Sequence, residues 1–98
     1  MQYNYSFNKR TVAKIRSFYR NVSLKYRHTY SFDDMERNVH DAIFSIFDIE
    51  KTLPRRKPTI RRWEGYHMAN TDKWYYAYEI DGDCIRVVDA CHAQNMHD

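Results

Sequence analysis

The sequence predicts an α+β fold whose elements follow the order β-α-α-β-β-β. Three observations carry this prediction. Apolar residues recur at helical spacing in two successive stretches, alternating aromatic and β-branched residues fill the last quarter, and Asp81-Gly82 marks a tight turn within that quarter. A chain of 98 residues is predicted to form a single domain, residues 1–98, with a modest core. One helical layer on one sheet is therefore expected.

The first strand and the first helix are predicted within the first 26 residues. Residues 2–7 alternate polar and aromatic side chains, which predicts a strand with Tyr3, Tyr5 and Phe7 on its buried face. Asn8 suits the N-cap of a helix that runs to about residue 26. The apolar residues of this helix fall at helical spacing: Val12, Ile15, Phe18, Tyr19 and Val22.

A second helix is predicted after a short connection at residues 27–30. Ser31 or Asp33 can cap it, and Leu53-Pro54 ends it. Its apolar stripe comprises Phe32, Met35, Val39, Ala42, Ile43, Ile46 and Phe47. Two helices with so short a link are expected to pack as an antiparallel hairpin, and the basic first helix suits the acidic second one.

The remaining chain is predicted to form a basic loop at residues 55–58, a short strand at 59–63, a polar loop at 64–73 and a hairpin. A two-residue turn at Asp81-Gly82 would pair Ile80 with Asp83 and Tyr78 with Ile85. One face of the hairpin is predicted to be core: Trp74, Tyr76, Tyr78, Ile80, Ile85 and Val87. The other face is mixed and could be a working surface: Tyr75, Ala77, Glu79, Arg86, Val88 and, without a bulge, His92.

The net charge of +3 conceals alternating blocks of charge. Residues 9–27 and 51–63 carry basic side chains without acidic ones, whereas residues 28–50 and 64–98 are mainly acidic. Such blocks favour two basic surfaces, which suit nucleic acid or an acidic partner.

The start of the chain lacks the apolar run of a signal peptide, and no apolar stretch approaches transmembrane length. Cys84 and Cys91 are too far apart on one strand to bridge, so a cytoplasmic protein without membrane contact is expected.

The stretch from Trp74 to His92 resembles the end of RelE/ParE-superfamily toxins. Those proteins end in an aromatic-rich strand, a tight Asp-Gly-type turn, a β-branched strand and a short tail with histidine or basic residues. With Arg61-Arg62 before it and a strand and helical hairpin in the first half, the resemblance covers essentially the whole chain by topology and size. It implies a RelE/ParE-like fold, with a helical hairpin packed on one face of a small antiparallel sheet.

The resemblance also implies a toxin of a bacterial type II toxin–antitoxin module, with a cognate antitoxin that wraps around it. The RelE-like branch cleaves mRNA in the ribosomal A site, and the ParE-like branch poisons DNA gyrase. Because both branches share the fold, the fold does not choose between them. RNA cleavage without metal requires a base, an acid and cations near the phosphate.

For the nuclease branch, the resemblance yields two sets of candidate residues. The catalytic candidates are His92, Arg86, Arg61 and Glu79. The substrate-binding candidates are Arg62, Tyr75, Arg55, Arg56 and Lys57, and His97 is a weaker candidate in the tail. No cofactor is expected, and no metal either, because Cys91, His92 and His97 lack the spacing of a closed four-ligand site.

Simpler interpretations stand beside these roles. Tyr75 occupies the position where RelE has a mid-strand arginine, so the catalytic set of RelE does not transfer whole. Arg86 and Glu79 could form a plain cross-strand ion pair. Residues 55–57 could be a solvated loop, and Arg61 and Arg62 would point to opposite faces of a strand, so at most one could join a given site.

Three functions are compatible with the sequence. The leading hypothesis is a ribosome-dependent mRNA endonuclease, favoured by the arginines of the predicted second strand and by the histidine-containing tail. The first alternative is a ParE-like gyrase inhibitor without enzymatic activity, favoured by the long helices, the Asp81-Gly82-Asp83 hairpin and the missing mid-strand arginine. The second is a non-toxic relative that binds nucleic acid or an antitoxin.

Overall fold

The structure, a computed structural model, describes residues 3–52, 57–71 and 73–96. Two helices pack on a four-stranded, mostly antiparallel sheet in the order β-α-α-β-β-β, which confirms the predicted fold class. The strands are β1 (Asn4–Phe7), β2 (His67–Thr71), β3 (Trp74–Asp81) and β4 (Cys84–His92), and the helices are α1 (Lys9–Lys25) and α2 (Phe32–Ser45). Short 3₁₀ helices span Ile46–Thr52, Arg61–Trp63 and Ala93–Asn95.

The strands are arranged in the order β1-β4-β3-β2. β2, β3 and β4 pair antiparallel, whereas β1 pairs parallel to β4, with Asn4 opposite Cys84 and Phe7 opposite Val87. The expected antiparallel sheet is therefore corrected at this one edge. A parallel pair needs a long crossover connection, and here the helices and the β2–β3 pair supply it.

Local sequence signals fix where both helices begin. The side chain of Asn8 accepts hydrogen bonds from the backbone N–H and the hydroxyl of Thr11, as its predicted N-cap role requires. Ser31 caps α2 and forms a capping box with Asp34, so the cap is Ser31 and not Asp33. The predicted helix end at Leu53-Pro54 lies outside the described residues.

The helices contact each other through an ion pair between Arg16 and Glu36, at 2.8 Å. This contact joins the basic first helix to the acidic second one, as the charges of the two helices predict. Neither helix, within the residues that the structure describes, is long and apolar enough to cross a membrane.

The position predicted for the second strand is wrong. Residues 61–63 form a 3₁₀ helix, and β2 lies at His67–Thr71, in what was predicted to be a polar loop. Ile60 and Trp63 are both buried against the face of the sheet that points away from the helices, which we call the second face. Their i, i+3 spacing suits a 3₁₀ turn better than a strand. β2 escapes prediction because Met68 and Ala69 are buried on opposite faces of the sheet, so the strand shows no apolar–polar alternation.

The core predicted for the hairpin is confirmed on the side of the helices. Trp74, Tyr76, Tyr78, Ile85 and Val87 are buried there, and the half-buried Ile80 packs against them. Tyr3, Tyr5 and Phe7 of the first strand region also pack against this core.

The register of the hairpin differs from the prediction by two residues. Ile80 pairs with Ile85 and Asp81 with Cys84, so Gly82 and Asp83 form the turn. Gly82 has a φ of 61°, a conformation that suits the start of such a turn. Because side chains alternate with a period of two, this shift leaves the two faces unchanged.

A β-bulge at Val88 changes the faces farther along β4. Tyr78 pairs with Val87, but Ala77 pairs with Asp89, so Val88 is an extra residue on β4. The side-chain amide of Asn8 donates to the carbonyl oxygen of Val88. Beyond the bulge, the alternation is reversed, and His92 lies on the side of the helices. Its predicted place on the mixed face, which assumed no bulge, is therefore corrected.

Candidate functional site

The bulged end of β4 carries a buried carboxylate, Asp89. Its oxygens accept a hydrogen bond from the indole Nε1 of Trp63 at 2.8 Å. They also form an ion pair with Lys14 Nζ at 2.7 Å. The backbone N–H of Ala90 donates to it as well, at 2.9 Å, and Arg62 Nε lies 3.9 Å away. Asp89 thus ties α1, β4 and the 3₁₀ helix Arg61–Trp63 together.

These contacts control the charge of Asp89. Burial is the largest single influence and by itself raises the pKa of this carboxyl group. The hydrogen bonds from Lys14 and Trp63, the charge of Lys14 and the N–H of Ala90 together outweigh burial, so the pKa lies below its ordinary value. Asp89 is therefore an anion at neutral pH and holds Lys14 in place.

A cavity of about 310 Å³ lies beside this network, between α1 and the end of β4. We call it the β4 groove. Lys14 and Arg62 contribute positive charges to its lining, and Asn21 and Asn95 contribute side-chain amides. The remaining lining residues are Ser17, Phe18, Trp74, Ala90, Cys91 and His92. The groove therefore combines cations, amides and an imidazole, which suits an anionic ligand with hydrogen-bonding groups.

His92 forms part of the lining of the β4 groove and is only 8% exposed. Its ring stacks on Phe18 at 4.1 Å between centroids and meets Trp74 edge to face at 5.4 Å. Its Nδ1 accepts a hydrogen bond from the backbone N–H of Gln94 at 3.2 Å. This bond assigns the proton of the neutral imidazole to Nε2. The packing and this hydrogen bond fix the orientation of the imidazole in the groove.

Arg62 also belongs to the β4 groove, although the strand predicted to carry it is absent. Its Nη2 lies 3.3 Å from the Sγ of Cys91, and its guanidinium lies 5.8 Å from the centre of the Trp63 ring. Together with the 3.9 Å approach to Asp89, these contacts orient an otherwise exposed side chain. Arg62, Lys14 and His92 thus converge on the same cavity.

Arg86 and Glu79 lie elsewhere, beside the turn of the hairpin. They are direct cross-strand partners, and Arg86 donates to Glu79 at 2.6 Å and to Asp81 at 3.0 Å. The hydrogen bond to Glu79, followed by the bond to Asp81, raises the pKa of Arg86. Arg86 and Cys91 are separated by five positions of strand, roughly 16 Å at about 3.3 Å per residue. The structure does not bring Arg86 and Glu79 to the β4 groove.

The other candidates are distributed over the second face and its loop. Arg61 and Lys57 line a separate cavity of about 570 Å³, together with Tyr66 and His67. Tyr75 is half-buried and packs against the cluster of Ile60, Trp63, Met68, Ala77 and Cys91. Arg55, Arg56 and His97 lie outside the described residues. The catalytic candidates thus occupy three places: the groove, the turn and this loop cavity.

Two charged residues of the site were missed by sequence reasoning. Neither Lys14 nor Asp89 was among the candidate residues. A signal for Asp89 was present, because a carboxylate within the apolar run Val87-Val88-Asp89-Ala90 requires a partner when it is buried. Lys14 offers no comparable local signal, since basic residues also surround it on α1.

The described part of the chain contains no group of three or more His, Cys, Asp or Glu side chains placed to hold a metal ion. Neither a protein-family model nor a curated protein sequence matches this chain. The observations that bear on its function are therefore the fold and the geometry of the β4 groove.

Proposed function

We propose that this chain is the toxin of a type II toxin–antitoxin module and arrests growth by cleaving mRNA on the ribosome without a metal. The observation that carries the proposal is the convergence of Lys14, Arg62 and His92 on one groove. The order of elements and the helices packed on one sheet agree with the toxin family that the sequence resembles.

The residues of the groove suit the chemistry of phosphodiester cleavage. The 2′-oxygen loses its proton to a water molecule and attacks the neighbouring phosphorus, and the 5′-oxygen of the next nucleotide leaves with a proton from an acid, so that a 2′,3′-cyclic phosphate and a 5′-hydroxyl are formed. His92 has the chemistry to exchange one of these protons. Lys14 and Arg62 offset the negative charge that develops on the phosphate oxygens. The amides of Asn21 and Asn95 can hydrogen-bond to sugar or base.

Asp89 positions the cations of the groove without lining it. Its contacts with Lys14 and Trp63 keep the two cations of the groove in position before substrate arrives. A cation that is already positioned loses less conformational freedom in the transition state than a freely moving one. Asp89 is therefore a positioning residue in this proposal.

Expression of the chain without an antitoxin tests the proposal. Induction is expected to arrest growth, and primer extension on mRNA from in vitro translation reactions is expected to reveal cuts at codon-related positions. Lys14→Ala and Arg62→Ala should each remove most of the cleavage. Arg20→Ala is the matched control, because Arg20 is an exposed arginine on α1 outside the groove. Normal growth at high expression of folded protein would exclude a toxin.

Exposed apolar side chains on the helices favour a second candidate, a gyrase inhibitor. Leu24, Phe32 and Phe44 are each about two-thirds exposed on or beside the helical layer. Such residues suit contact with another protein, either an antitoxin or gyrase. Arrested growth with intact mRNA and accumulated gyrase–DNA cleavage complexes would favour this candidate, whereas normal growth would favour the non-toxic relative.

A further inference from the structure

We infer that the β4 groove is one end of a longer channel along α1 that binds single-stranded RNA on both sides of His92, with Tyr26 and Tyr30 as a base-stacking subsite. We call it the α1 channel. The inference rests on the proposed function for its substrate class and extends it to residues that take no part in the cleavage chemistry.

The channel is continuous because two cavities share part of their lining. A second cavity of about 670 Å³ adjoins the β4 groove, and Phe18, Asn21, His92 and Asn95 line both. From Lys14 to Lys25 the channel follows one side of α1. These eleven positions correspond to about 17 Å at about 1.5 Å per residue. At roughly 3.4 Å per phosphate in a stacked strand, this length holds up to about five nucleotides.

The charges along the channel match a polyanion. Lys14 and Arg62 lie at one end, and Lys25 and Lys73 line the other. Among the lining residues in the described ranges, none carries an acidic side chain. Asp89 offsets part of this charge from beneath Lys14. Because cations stand on both sides of His92, a strand that crosses the groove would be held at both ends.

The second cavity adds the rings of Tyr26 and Tyr30, which do not line the β4 groove. Tyr26 is 50% exposed, and the ammonium of Lys25 lies 5.5 Å from the centre of its ring. The hydroxyl of Tyr30 accepts a hydrogen bond from the side-chain amide of Asn38, which restrains the ring. An exposed aromatic ring next to a cation, as in Tyr26 beside Lys25, is the arrangement by which proteins hold unpaired bases, and the half-buried Tyr30 lies in the same cavity.

The same features argue against an acidic peptide as the occupant. A peptide carboxylate would satisfy the lysines but would leave the aromatic faces without stacking partners. The side-chain amides of Asn38, Gln94 and Asn95, which also line the cavity, can both donate to and accept from base edges. Single-stranded RNA uses the charges, the rings and the amides together.

Binding of a non-cleavable RNA tests the channel separately from the cleavage reaction. The probe is a fluorescein-labelled, fully 2′-O-methylated eight-nucleotide RNA of mixed sequence, measured by fluorescence anisotropy with the full chain. With four cations engaged, affinity is expected to fall about 50-fold between 50 and 200 mM salt, because each contact contributes about 0.7 to the logarithmic slope for single strands. The same sequence as a duplex and a polyglutamate peptide of equal length serve as comparison ligands.

Variants at the far end of the channel supply the discriminating result. Tyr26→Leu is expected to weaken RNA binding roughly tenfold, in line with the loss of one stacked base. Lys25→Ala with Lys73→Ala should lower the salt slope by about 1.4. Arg20→Ala, a cation on α1 outside the channel, should change neither value. Circular dichroism and thermal unfolding would check that each exposed substitution leaves the chain folded.

The possible outcomes separate the channel from the proposed function. If mRNA is cleaved but Tyr26→Leu and the lysine double variant bind RNA like the unaltered chain, the channel is overturned and the nuclease remains. If RNA binding depends on these residues but no mRNA is cleaved, the nuclease fails and the channel stands. Binding of the duplex or of polyglutamate as tight as binding of the single strand overturns the channel.

Discussion

The indole Nε1 of Trp63 donates a 2.8 Å hydrogen bond to the carboxylate of Asp89, and this contact fastens the 3₁₀ helix Arg61–Trp63 to the bulged end of β4. Trp63 is almost completely buried, and Asp89 is nearly so. The contact also places Arg62, the residue before Trp63, at the β4 groove. The carboxylate of Asp89 therefore both stabilises the fold and helps to position a residue of the candidate site.

Asp89→Ala is expected to lower the free energy of unfolding by about 1–3 kcal/mol, because it leaves the buried N–H of Trp63 without its acceptor. Asp89→Asn keeps an acceptor oxygen and should cost less. Urea unfolding measures both. Asp48→Ala is the control, since an exposed carboxylate of this kind should change stability by less than about 0.5 kcal/mol. An Asp89→Ala chain as stable as the unaltered chain would refute the structural role of the contact.

Acid should weaken the same contact. The pKa of Asp89 is lower in the folded chain than in the unfolded one, where it is about 3.9. Its stabilising contribution is therefore fully present above that value and is lost as the pH falls through the folded pKa. We expect the stability difference between the unaltered chain and Asp89→Asn to be constant above about pH 5 and to shrink below about pH 4.

Urea titrations between pH 2.5 and 7 would measure this difference. Asp34, whose pKa is lowered mainly by the backbone N–H of Ser31, loses stabilisation in the same pH range. Both chains retain Asp34, so its effect cancels in the comparison. A difference that stays constant down to pH 2.5 would show that Asp89 does not titrate as described.

Substitutions at His92 should separate packing from chemistry. His92→Ala removes the stack on Phe18 and should cost about 0.5–1.5 kcal/mol beyond the lost buried area. His92→Phe keeps an aromatic ring on Phe18 and should retain more of the stability, yet it cannot exchange a proton. We expect both variants to lose mRNA cleavage. A stable His92→Phe chain that remains fully toxic would exclude His92 from the reaction.

Arg86→Ala is expected to leave the rate of mRNA cleavage within about twofold, because Arg86 is paired with Glu79 and Asp81 far from the β4 groove. Arg62→Ala should lower the rate by about 10²-fold, the usual effect of removing one group that stabilises transition-state charge. Single-turnover cleavage in a translation extract compares the two. The reverse ranking would place the reaction on the mixed face of the hairpin.

The turn of the hairpin offers a test of the positive φ at Gly82. Gly82→Ala should cost about 1–2 kcal/mol, because a residue with a Cβ resists the positive φ of 61° found there. Gly82→Asn should cost less, since asparagine tolerates this conformation. Thermal unfolding of both variants provides the measurement. Equal stability of all three chains would contradict a turn that begins at Gly82.

The elements with strong local signals were predicted correctly. Asn8 and Ser31 cap their helices through side-chain hydrogen bonds made within three residues of the chain. The helix-facing side of the hairpin follows from alternation alone, so even an error of two residues in register did not move Tyr76 or Val87 to the other face. Residues close in sequence decide such features, and a single sequence therefore suffices to predict them.

The candidate site depended instead on contacts between distant residues. His92 was expected on the mixed face, and the bulge at Val88 turned it towards Phe18. Arg62 was expected on a strand, and the contact of its neighbour Trp63 with Asp89 places it beside the groove instead. Neither event leaves a periodic pattern in the residues around it.

The sequence by itself thus determined the order of the elements, the helix starts and the helix-facing core, because periodicity and capping act over a few residues. Only the tertiary structure decided the place of β2, the parallel edge and the convergence of Lys14, Arg62 and His92. The physical reason is that one extra residue at Val88 reverses the alternation of β4. The buried charge of Asp89 requires partners, and Lys14 and Trp63 supply them from two segments that are distant in sequence.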